Sequence, residues 1–152
     1  MSDLGTELSS GEQADLRRLA GLMIPASEEF GVPGADDPAI FADILRSLGR
    51  DTADVRAALH TLATLAGGSF SWLEDARAEA VAHEFLARTG PEMIALGRAM
   101  LQCYYRDGRV LRSVGQEPGP PFPRGNKLDQ GDWSLLDPVR TRPRLWRDDR
   151  RI

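Results

Sequence analysis

The chain has 152 residues, 41% of them hydrophobic and 28% charged, which suffices for one domain with a real core but not for a nucleotide-binding domain plus a substrate domain. A formal net charge of -4 argues against nucleic acid as a partner, because polyanion binders carry a basic excess or patch. A single cysteine, Cys103, allows no internal disulfide and no zinc or iron–sulfur site, and reads as a small apolar residue buried on a helix.

The longest apolar run, Leu19 to Ala26, contains Gly21 and Pro25 and falls well short of the roughly 18 residues a membrane span needs, so no span is expected. Arg17-Arg18 before that run reads as a solvated helix face rather than a twin-arginine export signal.

In chain order, residues 1–9 are polar and expected to fray. A first helix is predicted from Ser10, whose spacing to Gln13 fits a capping box, with Leu16, Leu19, Ala20 and Met23 on one stripe and Pro25 closing it. Pro33-Gly34 punctuates the loop that follows. Asp37-Pro38 then supplies an N-cap and an N1 proline for a second helix, whose apolar face is Ile40, Phe41, Ile44, Leu45 and Leu48, with Gly49 placed to cap its end. A third helix is predicted over Thr52 to Ala66 on Val55, Leu59, Leu62 and Leu65, and its uncharged second half makes it the expected centre. The fourth is predicted from Trp72 to Ala87, with Leu73, Ala76, Ala80, Val81 and Phe85 inward. The fifth runs from Pro91 to Arg106, with Met93, Ile94, Gly97, Met100, Leu101, Tyr104 and Tyr105 on one side, and a short helix covers Arg109 to Val114. The expected fold is therefore all-α, an antiparallel bundle of about five helices over residues 1–115.

Beyond Gly115 the pattern changes. Six of the ten prolines lie there, the run Pro118 to Pro123 favours polyproline II, and no helical stripe is sustained. Residues 116–152 hold Lys127 and seven arginines against six acids, so this stretch is basic while residues 1–115 are acidic. Phe122, Trp133, Leu135, Leu136, Val139 and Trp146 make it richer in apolar anchors than a disordered tail. An extended arm is expected, able to span on the order of 120 Å and to wrap either its own bundle or a partner. Tryptophan flanked by arginine is typical of protein–protein hot spots and favours the partner.

Catalytic and metal sites are not expected. His60 and His83 belong to no metal-spaced cluster, there is no G-x-S-x-G elbow, and Gly67-Gly68 lacks the preceding strand that glycine-rich phosphate cradles need.

Three stretches carry a likeness to a known family: LRRLAGLMIPAS, GVPGADDPAIFADIL, and YYRDGRVLRSVG leading into PGPPFPRG. Together they resemble the gluconate 2-dehydrogenase subunit 3 family, the small (gamma) subunit of flavin-dependent GMC-type dehydrogenases. The likeness covers most of residues 12–125 and extends to the tail that holds Trp133 and Trp146. It implies a non-catalytic, mostly helical subunit that binds, stabilises and helps mature a large FAD-containing subunit oxidising sugars, glycosides or related alcohols. No cofactor is then expected on this chain; FAD belongs to the partner. Many members carry an export signal, whereas this chain opens MSDLGT, so a cytoplasmic complex is expected, or a periplasmic one if the chain is processed or co-exported.

Both lines of reading make the arm and the Tyr104–Arg112 junction a partner surface. The expected contacts are Tyr104, Tyr105, Arg106, Arg109, Arg112, Pro120, Pro121, Phe122, Pro123, Trp133 and Trp146. Aromatic side chains bury large areas at low entropic cost, and arginines grip acidic groups bidentately. The alternative is a self-contained helical enzyme or small-ligand binder whose pocket lies between helices under the arm.

Overall fold

A computed structural model describes residues 7–119 and 130–143. Pro120, Pro121, Phe122, Pro123 and Trp146 lie outside the described residues. The chain divides into two units, residues 1–119 and 120–152, and the first holds the helical core. No described helix is long and apolar enough to cross a membrane.

Helix α1, Ser10–Met23, starts where its sequence suggests, but its capping box lies one residue earlier. Ser9 is the N-cap: its hydroxyl accepts from the Glu12 N–H at 3.3 Å while the Glu12 carboxylate accepts from the Ser9 N–H at 2.7 Å. A carboxylate in the first turn also complements the positive helix end, which a Ser10/Gln13 pair would not do. Gln13 instead donates its side-chain amide to the Leu8 carbonyl at 2.8 Å. The loop that follows folds back on the end of α1, with the Ala35 N–H donating to the Ile24 carbonyl at 2.9 Å. A Cβ on Gly34 would come within 3.0 Å of the Ala26 backbone nitrogen, so the return requires glycine there.

Helix α2, Pro38–Ser47, begins as expected, with the Asp37 carboxylate accepting from the Ala39 and Ile40 N–H groups. It buries Ile40, Phe41 and Ile44. Gly49, at φ +45°, takes the left-handed conformation that ends it. Helix α3, Thr52–Ala66, buries Val55, Ala58, Leu59 and Leu62 and packs against α1, α4 (Asp75–Leu86) and α5 (Pro91–Tyr104), so the expectation of a central third helix holds.

Two expectations fail. Helix α4 starts at Asp75, because Phe70–Trp72 form a separate 3-10 turn. Its inner face is Ala78, Val81, Ala82 and Phe85, while Ala76 and Ala80 are exposed. Helix α5 is also rotated from its expected orientation. Ala95, Leu96, Ala99, Met100, Cys103 and Tyr104 are buried, whereas Ile94, Leu101 and Tyr105 stand 69%, 48% and 53% exposed. The physical reason is that α5 is apolar on two sides. It packs on both α2 and α3, and the face bearing Ala95 and Ala99 lets neighbouring helix axes come closer than the face bearing Ile94 and Leu101 would.

A short α6, Gly108–Ser113, follows, capped by Asp107 and buried through Val110. In the second unit the described residues form a 3-10 turn, Trp133–Leu136, and a single-turn helix α7, Asp137–Arg140.

The burial pattern gives a direct test of the α5 register. Leu96→Ala should destabilise the fold by about 2–5 kcal/mol, and Leu101→Ala by less than about 1 kcal/mol. Denaturant melts of the two variants would check this, and equal losses would contradict the rotated face.

Candidate partner-binding site

Of the stretches that carry the family likeness, residues 16–27 and 31–45 are close in sequence, and residues 104–115, far along the chain, meet them in space. From α1, Arg17 donates its Nε to the Asp36 carbonyl at 3.1 Å and lies over the Phe41 ring, 5.8 Å from its centroid. From the end of α5, the Tyr104 hydroxyl donates to the Pro33 carbonyl at 3.2 Å. Arg106 grips Asp43 of α2 through Nε at 3.0 Å and Nη2 at 2.6 Å, and Nη2 also reaches the Ser47 hydroxyl at 2.8 Å. Arg109 of α6 binds both oxygens of Asp37, at 3.0 and 2.8 Å, and both oxygens of its neighbour Asp107, at 3.0 and 2.9 Å.

The electrostatics follow from this geometry. The Arg109 guanidinium, hydrogen-bonded to Asp37, holds that carboxyl down to about 2 from an ordinary 3.8, against the opposing effect of desolvation. Hydrogen bonds to Asp107 and then Asp37 raise the Arg109 pKa. Partial burial disfavours ionisation of Asp43, but Arg106 and then Arg46 outweigh it and its carboxyl lies below the usual range. Burial pushes the Cys103 thiol up, consistent with a packed, unreactive side chain.

The expected contact residues therefore separate. Tyr104 is buried, 6% exposed, with its ring in the core and its hydroxyl on the α1–α2 loop. Arg106 and Arg109 spend their guanidiniums on Asp43, Asp37 and Asp107 of this same chain. Arg112 is exposed on α6. Tyr105 is exposed and packs edge-on against Tyr104, ring centroids 5.4 Å apart. In the second unit Trp133 is 62% exposed and donates its indole N–H to the Gln130 side chain at 3.2 Å.

Sequence reasoning missed what the arginines uncover. Ile94 and Leu101 of α5 and Tyr105, its C-cap, follow one another at spacings of seven and four residues, which places them on one face about 16 Å long. The cations beside this stripe are neutralised: Arg98 meets Asp51 at 2.6 Å, and Arg106 meets Asp43. Gly97, within the stripe, has open space where a side chain would stand. The signal in the sequence was that α5 carries apolar residues on more than one side, which a single buried face does not use up.

Other chemistry is sparse. His60 and His83 are both exposed, and among the described residues no group of three or more His, Cys, Asp or Glu could hold a metal ion. An open cleft of about 440 Å³ lies between the start of α1 and the end of α2, bounded by Leu8, Gln13, Leu45, Arg46 and Thr52. Comparison with protein-family models, with curated proteins and with solved structures finds no match.

The brace around Arg109 predicts an acid response. A carboxyl at about 2 in the fold and 3.8 in the unfolded chain stabilises the fold above the higher value and loses that contribution as pH falls through the lower one. Asp37→Asn keeps a good N-cap but removes the charge, so it should flatten the decline in melting temperature between roughly pH 4 and 2. A double-mutant cycle on Asp37 and Arg109 should return a coupling of about 1 kcal/mol, since the pair is bidentate but partly solvated. A melting series across that pH range, with the four proteins of the cycle, checks both.

Proposed function

We propose that this chain is the non-catalytic small subunit of a heteromer, binding, stabilising and helping to mature a large FAD-dependent GMC-type oxidoreductase that acts on sugars or glycosides. The observation that supports it most is the exposed apolar stripe of Ile94, Leu101 and Tyr105 along α5 and its C-cap, interrupted only by Arg98, which is paired with Asp51. A contiguous exposed apolar patch rimmed by polar residues is the kind of surface that marks a protein–protein contact. The residues of the family likeness support the same reading, since Arg17, Asp37, Asp43, Tyr104, Arg106 and Arg109 form the framework that holds this stripe in place. The second unit adds Trp133, Leu135 and Val139 as further exposed apolar groups of the kind that anchor partners.

A second reading, a small-ligand binder, draws on the cleft beside Leu8 and Leu45. Its open form and its few apolar side chains, Leu8, Leu45 and Leu48, make it the weaker of the two.

The test is purification of the tagged chain from its native host, followed by flavin absorbance and mass spectrometry of whatever accompanies it. A stoichiometric flavoprotein several times larger is the expected result. Leu101→Asp should release that flavoprotein while leaving the circular dichroism melt of the free chain within about 1 kcal/mol of wild type. A flavin-free monomer from the native host would refute the assignment.

A further inference from the structure

Trp72 is 89% exposed, the most exposed large apolar side chain among the described residues. Its backbone, by contrast, is held from several sides. The Asp15 carboxylate, itself buried at 7% exposure, accepts from the Ser69 hydroxyl at 2.9 Å and from the Ser71 N–H at 2.7 Å. The Ser69 and Ser71 hydroxyls are 2.9 Å apart, and Arg18 donates to the Ser71 carbonyl at 2.7 Å. Phe70, next but one in the chain, is fully buried beneath the Arg18 guanidinium. A buried carboxylate, an arginine and a core phenylalanine thus fix a turn of three residues whose one large free side chain is an indole in water.

Packing accounts for Phe70 but not for the indole. The core is complete without the indole, and an exposed tryptophan on a mobile loop would need no such support. A rigid aromatic side chain loses little entropy when it enters a pocket, which is why tryptophan dominates hot spots. The surroundings select the kind of pocket. The turn is followed by Leu73, by Glu74 at the N-cap of α4 and by Asp75, its first residue; Glu74 is exposed, and the Asp75 side chain is 99% exposed even while paired with Arg18. The complementary surface is an apolar slot with a cationic rim.

We propose that Trp72 is a preformed anchor that inserts into an apolar, cation-rimmed pocket of the large flavoprotein subunit, an inference that rests on the proposed function. It adds a second point of attachment, built on the α1 and α4 side of the helical unit, to the α5 stripe. Asp15 and Arg18 act as positioning residues, since they touch the turn and not the partner.

Hydroxyl-radical labelling read by mass spectrometry, applied to the free chain and to its purified complex with the flavoprotein, tests this residue by residue. Trp72 should label strongly in the free chain and be protected in the complex. Trp72→Ala should weaken association at least about thirtyfold with an unchanged melting point, because the indole supports nothing in the fold. Glu74→Lys should slow association and reduce its salt dependence. A complex that forms with Trp72 still fully labelled, or that binds Trp72→Ala as tightly as wild type, overturns this inference and leaves the proposed function standing. Protection of Trp72 in the free chain by self-association overturns it in favour of a second copy. Absence of any flavoprotein complex overturns both.

Discussion

One guanidinium holds the ends of this fold to its middle. Arg109 makes four hydrogen bonds to two carboxylates, and one of them, Asp37, is also the N-cap of α2. The start of α2 and the start of α6, 72 residues apart, are thereby fixed to each other. Arg106 repeats the device one helical turn into α2 through Asp43. With both arginines satisfied internally, the end of α5 is pinned against α2, and the side of α5 that faces outward is set. An arginine that looks in sequence like a hand held out to a partner is here a fastening that orients the surface beside it.

That orientation turns a packing question into a functional one. Helix α5 has more apolar surface than α2 and α3 can cover, and the fold resolves the excess by burying the side with small residues. Ile94, Leu101 and Tyr105 remain in water as a patch of the kind that marks an interaction surface. Trp72 remains exposed on the other flank, on a turn held by the buried Asp15. Two exposed apolar features on rigid supports fit a chain whose folding is completed by association, and they give the proposed subunit role its physical content.

Much of the framework was legible in the sequence. Asp37-Pro38 announced the start of α2 because the cap and the N1 proline act locally, and α3 was placed from Thr52 to Ala66 because its single apolar stripe ends at a glycine pair. What failed was non-local. The α5 period fits two faces equally well, and only the presence of α2 and α3 decides between them. Trp72 looks like the first residue of a helix until Asp15, 56 residues before Ser71, is seen to claim the serines around it. The candidate site was half legible: the sequence singled out Tyr105 and the arginine-rich junction, but the pairing of Arg106 with Asp43 and of Arg109 with Asp37 depends on a tertiary approach that spacing does not encode.

The account stands on the claim that the arginine brace, rather than the apolar core alone, fixes the α1–α2 loop, α2 and the α5–α6 corner as one unit. Hydrogen–deuterium exchange of the Arg109→Ala chain measures this most directly. Amides of residues 33–40 and 104–113 should lose protection together, while α3 and α4, which the brace does not touch, should exchange as in the wild type. Loss of protection confined to α6, or spread evenly over every helix, would contradict the claim.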